Sequence, residues 1–274
     1  GDLDTVAYSS TSNSVVLLEN TLNDTGDWAA PVTVGGLANT NQIQLVDVTG
    51  DGDLDVVALS ATSQQLVYYE NLATSPLSFG AAITLADSSA PASLVAAQGF
   101  AAADFDGDGD AADFVIGDDL QILYIEDATP SGAADISGFP AGFTGAGVQK
   151  VAAGDFDGVG GLDVALSADL SGGSLLAIMN TGTTGASFSN AFRVKSGFAG
   201  ASYLAVANLD GQHGDDLVLS STTQIDVFLS DGSGLETFVR QSIPKPTSGD
   251  IQVRLGDLDG VDGPDLITTG YVAD

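Results

Sequence analysis

The chain has 274 residues, with 37 Asp plus Glu against six Lys plus Arg, one His and no Cys, for a formal charge of −31. Such a polyanion is repelled by nucleic-acid phosphates and anionic headgroups, and without Cys and with a single His it holds no disulfide framework, thiolate nucleophile, zinc knuckle or multi-histidine centre. At 44% hydrophobic residues it can bury a substantial core, yet no run approaches the roughly 18–20 apolar residues that span a bilayer, so neither nucleic acid nor membrane insertion is expected.

Along the chain, Gly1-Asp-Leu-Asp4 reproduces Gly52-Asp-Leu-Asp55 one period of 51 residues earlier and reads as a truncated acidic loop. An apolar run follows, Val15-Val-Leu-Leu18, then a turn containing the glycosylation sequon Asn23-Asp24-Thr25, an aromatic (Trp28), and the runs Pro31-Val-Thr-Val34 and Ile43-Gln-Leu-Val46. Full acidic loops then recur at 47–55, 104–113, 155–163, 208–216 and 257–265, their starts spaced by 57, 51, 53 and 49 residues. After each comes a β-branched run such as Val56-Val-Ala-Leu59 or Phe114-Val-Ile116. A second run follows in the next segment, such as Leu66-Val-Tyr-Tyr69, Leu175-Leu-Ala-Ile178 or Ile225-Asp-Val-Phe228. Most of these close on a polar residue, Asn71, Asp127 or Asn180 among them, and lead through a turn to an aromatic (Phe79, Phe188, Phe238) whose repetition suggests packing. Four short strands per period of about 50 residues, without helical periodicity, predict an all-β fold in which each period is one four-stranded propeller blade.

The loops, the run after each and the Asn or Asp closing the next strand resemble FG-GAP/VCBS repeats, which form integrin-α-like β-propellers. The resemblance covers essentially the whole chain, read as a single β-propeller region over residues 1–274. Strand counting predicts three strands, four full blades and two strands, hence an incomplete arc or part of a six- or seven-bladed ring, as in a fragment of a longer protein. The edges of an open arc would invite pairing with another chain.

A hard cation such as Ca²⁺ takes six to eight oxygen ligands, which a short loop supplies from alternate positions when Gly lets it turn back. In the first full loop Asp47, Thr49, Asp51 and Asp55 fall at positions one, three, five and nine, with the Asp53 carbonyl at seven. The second offers Asp104, Asp106, Asp108 and the Asp110 carbonyl, with the closing carboxylate displaced to Asp113 by an extra residue. The others keep fewer candidates: Asp155, Asp157 and Asp163; Asn208, Asp210 and Asp216; and Asp257, Asp259 and Asp265. Val159 and Val261 occupy position five, where they offer no side-chain oxygen. An EF-hand is excluded, because position twelve is Ala58, Val115, Leu166, Leu219 or Thr268 rather than a bidentate Glu. A salt-adapted acidic surface would scatter its charge, whereas 21 of the 37 acidic residues lie in the six loops, where unneutralised carboxylates would repel one another. The expected cofactor is therefore Ca²⁺, stapling the strand that enters each loop to the strand that leaves it.

No Gly-x-Ser-x-Gly elbow or Walker loop is present, and His213 lies inside an acidic loop, where it reads as a solvated residue; no enzyme is expected. Two classes stay open: a structural or adhesion module presenting its faces to protein partners or neighbouring copies, and a carbohydrate-binding, lectin-like propeller in which aromatics such as Trp28 stack on glycans. A propeller attached to a polysaccharide-active enzyme is a weaker alternative. Weak oxygen-only loops fill where calcium is millimolar, which points to an extracellular or cell-surface setting, with Asn23 as a candidate glycosylation site.

Overall fold

The computed structural model describes residues 3–22, 27–74, 76–89, 94–109, 113–119, 121–126, 135–138, 147–169, 172–182, 185–189, 192–198, 200–222, 224–231, 238–244, 252–261 and 263–269. Asn23 and Asp110 lie outside these residues, as do Gly1 and Asp2 of the opening partial loop. Among the described residues no helix is long and apolar enough to cross a membrane.

The described strands build a run of antiparallel sheets. The first joins β1 (Thr5–Ser9), β2 (Ser14–Leu18) and β5 (Val32–Gly35), with a small ladder of β3 (Asn20–Thr21) and β4 (Asp27–Trp28) beside it. Four complete blades follow: β6 (Gln42–Val46), β7 (Asp55–Ser60), β8 (Gln65–Tyr69) and β9 (Ile83–Ala86); β10 (Gly99–Ala103), β11 (Asp113–Gly117), β12 (Ile122–Glu126) and β13 (Asp135–Gly138); β14 (Val148–Gly154), β15 (Asp163–Ala168), β16 (Ser174–Ile178) and β17 (Phe192–Ser196); and β18 (Ala201–Ala207), β19 (Asp216–Ser221), β20 (Gln224–Ser230) and β21 (Phe238–Pro244). The hairpin β22 (Gln252–Gly256) and β23 (Asp265–Thr269) closes the described series. The three-strand, four-blade, two-strand division read from the repeats is the one observed, and the fold is an all-β propeller of four-stranded blades.

Register places every full acidic loop at the same point of its sheet. Val46 pairs with Asp55, Ala103 with Asp113, Gly154 with Asp163, Ala207 with Asp216 and Gly256 with Asp265, so each loop connects a blade's first strand to its second. Those second strands, β7, β11, β15 and β19, are buried along their whole length, which explains why they read as unbroken apolar runs rather than alternating ones.

The core lies between sheets. Each pair of adjacent sheets shares one hydrophobic cluster, for example Leu59, Tyr68, Phe100 and Phe114 between the β6–β9 and β10–β13 sheets, and Phe156, Leu175, Leu217 and Phe228 between the β14–β17 and β18–β21 sheets. Contact is close enough that a Cβ on Gly35 would come within 1.9 Å of the Tyr69 ring. First strands are tied across the gap by amides: Gln42 Oε1 accepts from Phe100 N (3.0 Å) while its Nε2 donates to Phe100 O (2.7 Å), and Gln44 Oε1 accepts from Ala102 N (3.0 Å). The repeated aromatic packs in two blades, with Phe188 edge-on to Tyr124 and Phe105 and Phe79 half-buried against its neighbours. Trp28 departs from that pattern and is 42% exposed on the short β4.

Candidate metal centres

Each acidic loop folds on its own carboxylates. The first-position side chain accepts from the fourth-position N–H: Asp47 from Gly50 (2.8 Å), Asp104 from Gly107 (2.7 Å), Asp155 from Gly158 (2.7 Å) and Asp257 from Gly260 (2.6 Å). The third-position carboxylate accepts two residues on: Asp106 from Asp108 (3.0 Å), Asp157 from Val159 (2.8 Å), Asp210 from Gln212 (2.9 Å) and Asp259 from Val261 (2.9 Å). These Asx turns need a left-handed residue at position four, supplied by Gly50, Gly107, Gly158, Gly211 and Gly260 at φ of 68–79°. At position six the fourth loop puts exposed His213 at φ 44°, where the first three full loops have Gly52, Gly109 and Gly160.

The folding gathers carboxylates in three loops. Asp104, Asp106 and Asp108, then Asp155, Asp157 and Asp163, then Asp257, Asp259 and Asp265 each place carboxylate oxygens within 4.8 Å of one another. In the Asp47 loop, the best match by sequence, Thr49 replaces the third-position carboxylate. Asp47 also gives both oxygens to backbone, accepting from Gly50 and Asp51 at Oδ1 and from Gly52 at Oδ2 (2.8 Å). Asp51 accepts from Asp53 N (3.0 Å).

The ninth-position carboxylates are strand clips. Asp55 accepts from Val48 N (3.0 Å) within its loop and from Asn71 N (2.7 Å) at the end of the blade's third strand. Asp163 does the same with Phe156 N (2.8 Å) and Asn180 N (2.7 Å), and Asp216 with Leu209 N (2.7 Å) and Ser230 N (2.8 Å). Asp113 accepts from Phe105 N, Asp106 N and the Tyr124 hydroxyl, and Asp265 from Leu258 N. Asp4 accepts from Asn20 N (2.8 Å), the same kind of bond that Asp55 and Asp163 take from a residue just after their third strand.

Burial makes this arrangement electrostatically expensive. Asp55, Asp163 and Asp216 are completely buried, and desolvation raises the pKa of each. Asp163 is pushed up to about 7 by burial, against the pull of N–H donation from Asn180 and Phe156, while Asp157 and Asp155 add repulsion. A bound cation inverts that logic by favouring the ionised form. Two further oxygens are short of a partner: Thr49 Oγ1, at position three of the first full loop, and Asn208 Oδ1, at position one of the fourth, are buried and accept no hydrogen bond. Both stand at alternate loop positions where a hard cation would take ligands, so the donor set fits an oxygen-coordinated metal.

Neighbouring loops are also bonded to each other. Asn180 Nδ2 donates to Phe105 O (2.6 Å) and Gly185 N to Asp106 O (2.9 Å), both in the preceding blade's loop. Ser230 Oγ donates to Phe156 O (2.6 Å), while Asp215 accepts from Asp155 N (3.0 Å) and donates its own N–H to Asp155 O. Asp215 was not a candidate from spacing; its place beside the ninth-position Asp216, with no counterpart in the other loops, is the only sequence sign of its cross-blade role.

Residues 47–116 match the FG-GAP-like repeat, the family the loop pattern resembles. No curated protein matches the chain by sequence. Among solved structures, the chain is similar to an Agrocybe aegerita lectin whose structure concerns specific recognition of non-reducing terminal N-acetylglucosamine. The TM-score is 0.66 at 19% identity, covering 97% of this chain and 70% of the lectin, a likeness of fold. A TcdB2-TccC3 structure without the hypervariable C-terminal region aligns at a TM-score of 0.33 and 16% identity, over 93% of this chain and 15% of that one.

Proposed function

We propose that this chain is a calcium-stapled extracellular propeller that acts as a structural or adhesion module, offering its faces to protein partners or neighbouring copies and catalysing no reaction. The observation that carries the reading is the convergence of three carboxylate triads, each on the same first-to-second-strand connection of its blade. Hard oxygen donors without His or Cys favour Ca²⁺ over softer metals, and loops this irregular suit its flexible coordination better than the octahedral demand of Mg²⁺. A bound cation would supply positive charge to each cluster. The chain's own residues do the rest: Asx turns preset the loop, and the ninth carboxylate fastens it to the third strand.

Affinities for such modules are of order 10⁻⁴ to 10⁻³ M, which suits an extracellular or cell-surface setting. The test is calorimetric calcium titration with thermal melts in EDTA and in millimolar calcium, on the parent and on a variant carrying Asp104→Asn, Asp108→Asn, Asp155→Asn and Asp157→Asn. Asn keeps the turn-capping acceptor and removes the charge. A calcium-dependent rise in melting temperature that shrinks in the variant supports the reading; no binding heat, with stability following ionic strength alone, refutes it.

A second reading is glycan binding. Its support is the fold likeness to a lectin together with the exposed Trp28 indole, a ring available for stacking on a sugar. A glycan-array screen with the parent and Trp28→Ala separates it from the first reading.

A further inference from the structure

The first strands run toward the acidic loops, so their starting ends gather on the opposite side of the propeller. There, three successive blades line an open cleft of about 390 Å³ that includes Gln98 before β10, exposed Asp119 between β11 and β12, Gln149 and Lys150 in β14, exposed Asp169 after β15 and Ala201 at the start of β18. Its size is that of a small-molecule site. The walls are fixed by backbone bonds: Asp119 N donates to Val95 O, Val148 N to Asp118 O, and Asp169 N to Gly147 O.

Five residues before its loop, β6 carries Gln42, which spends its amide on the neighbouring strand. At the same register β14 carries Lys150, beside a bulge at Gln149. Among the described residues the one ion pair joins Lys195 to Asp226, so neither Asp119 nor Asp169 lies within 4.0 Å of the Lys150 ammonium. Gln149 Oε1 accepts from Ala201 N (3.1 Å), which leaves its Nε2 as a second donor. Burial lowers the Lys150 pKa, a cost that a bound anionic group would offset.

Donors on β14 and carboxylates on the flanking turns, separated by more than a salt-bridge length, call for a ligand with an anionic end and a cationic end. We infer that this cleft binds a small zwitterion of the α-amino-acid type, its carboxylate on Lys150 and Gln149 and its ammonium on Asp119 and Asp169. A ligand of net negative charge is disfavoured, because a chain of formal charge −31 repels it before it reaches the single cation. The site lies away from the acidic loops and does not depend on the calcium reading.

The experiment is an NMR titration of the ¹⁵N-labelled chain with L-alanine, propionate and D-glucuronate, each in EDTA and in millimolar calcium. The expected result is saturable shifts at Gln149, Lys150 and Ala201 with L-alanine in both buffers, and binding at least about tenfold weaker for propionate and glucuronate. Lys150→Gln, which installs the residue β6 already uses at this register, and the double variant Asp119→Asn, Asp169→Asn should each weaken L-alanine about tenfold while leaving the melting temperature near the parent's. Absence of saturable shifts, equal binding of propionate or glucuronate, or variants that bind as the parent does would each overturn the assignment.

Discussion

Replacing Asn180 by Ala tests whether the bonds between blades stabilise the fold, because the repeat provides its own control at Asn71. Both residues end the third strand of a blade, and both donate backbone N–H to the ninth-position Asp, a bond that Ala retains. Among the described residues, the half-buried Asn71 side chain bonds within its own blade, to Leu54 O (3.3 Å) and from Ala73 N (3.0 Å). Asn180 is fully buried and makes the matching bonds to Leu162 O (3.3 Å) and from Gly182 N (3.1 Å). It adds an acceptor for Ser187 N (2.9 Å) and the cross-blade donation to Phe105 O (2.6 Å). At a net worth of about 1 kcal/mol per hydrogen bond, losing two side-chain bonds puts Asn71→Ala at about 2 kcal/mol, while losing four and stranding the buried Phe105 carbonyl puts Asn180→Ala at about 5 kcal/mol. Urea denaturation in EDTA, followed by circular dichroism, reads this as a larger drop in midpoint at unchanged slope. Equal midpoints for the two variants would refute the claim that the cross-blade bond carries stability.

Three further outcomes follow from other sites. Because burial holds the Asp163 carboxyl at about 7 in the folded chain, above its unfolded value near 4, the protonated fold is favoured: that stabilisation is complete below about pH 4 and lost as pH rises through 7. Melting temperature in EDTA should therefore climb as pH falls from 8 to 6, and Asp163→Asn should flatten the climb. Lys195→Met leaves Asp226, 1% exposed, with Gln224 and Ser242 as hydrogen-bond donors but without its cation; a loss of about 3 kcal/mol is expected, partly recovered by adding Asp226→Asn, as urea midpoints would show. His213→Gly removes a left-handed non-glycine residue from the fourth loop and should stabilise by up to about 1 kcal/mol in the same assay.

The blade plan was legible because its signals are local and repeated. The acidic loops recur at blade spacing, and the second strands are buried on both faces, so Val56–Leu59 and Phe114–Ile116 read as continuous apolar runs. Ligand candidacy was legible too, since Asp104, Asp106 and Asp108 must converge if the loop turns back at Gly107. Spacing could not disclose that Asp55 and Asp163 serve as clips, because their partners Asn71 and Asn180 are 16 and 17 residues away and meet them only once the third strand has paired. Trp28 shares the sequence position of Phe79 and Phe188 but not their packing, because it lies on the two-residue β4, where the ring stays open to solvent. The zwitterion cleft left no mark in the sequence, since its walls come from three blades and from turns without a shared motif.

Because adjacent blades are tied to one another by hydrogen bonds and shared core clusters, the chain can be cut within a blade without its pieces separating. A nick in the segment between β8 and β9, where Leu72 and Ala73 are exposed, would cut the backbone between the third and fourth strands of one blade. It would leave the β8–β9 ladder and the amide bonds of Gln42 and Gln44 to Phe100 and Ala102 joining the two pieces. Limited proteolysis should accordingly produce fragments that migrate together under native conditions and separate only in denaturant, and the same segment is the place to insert a tag or a second domain.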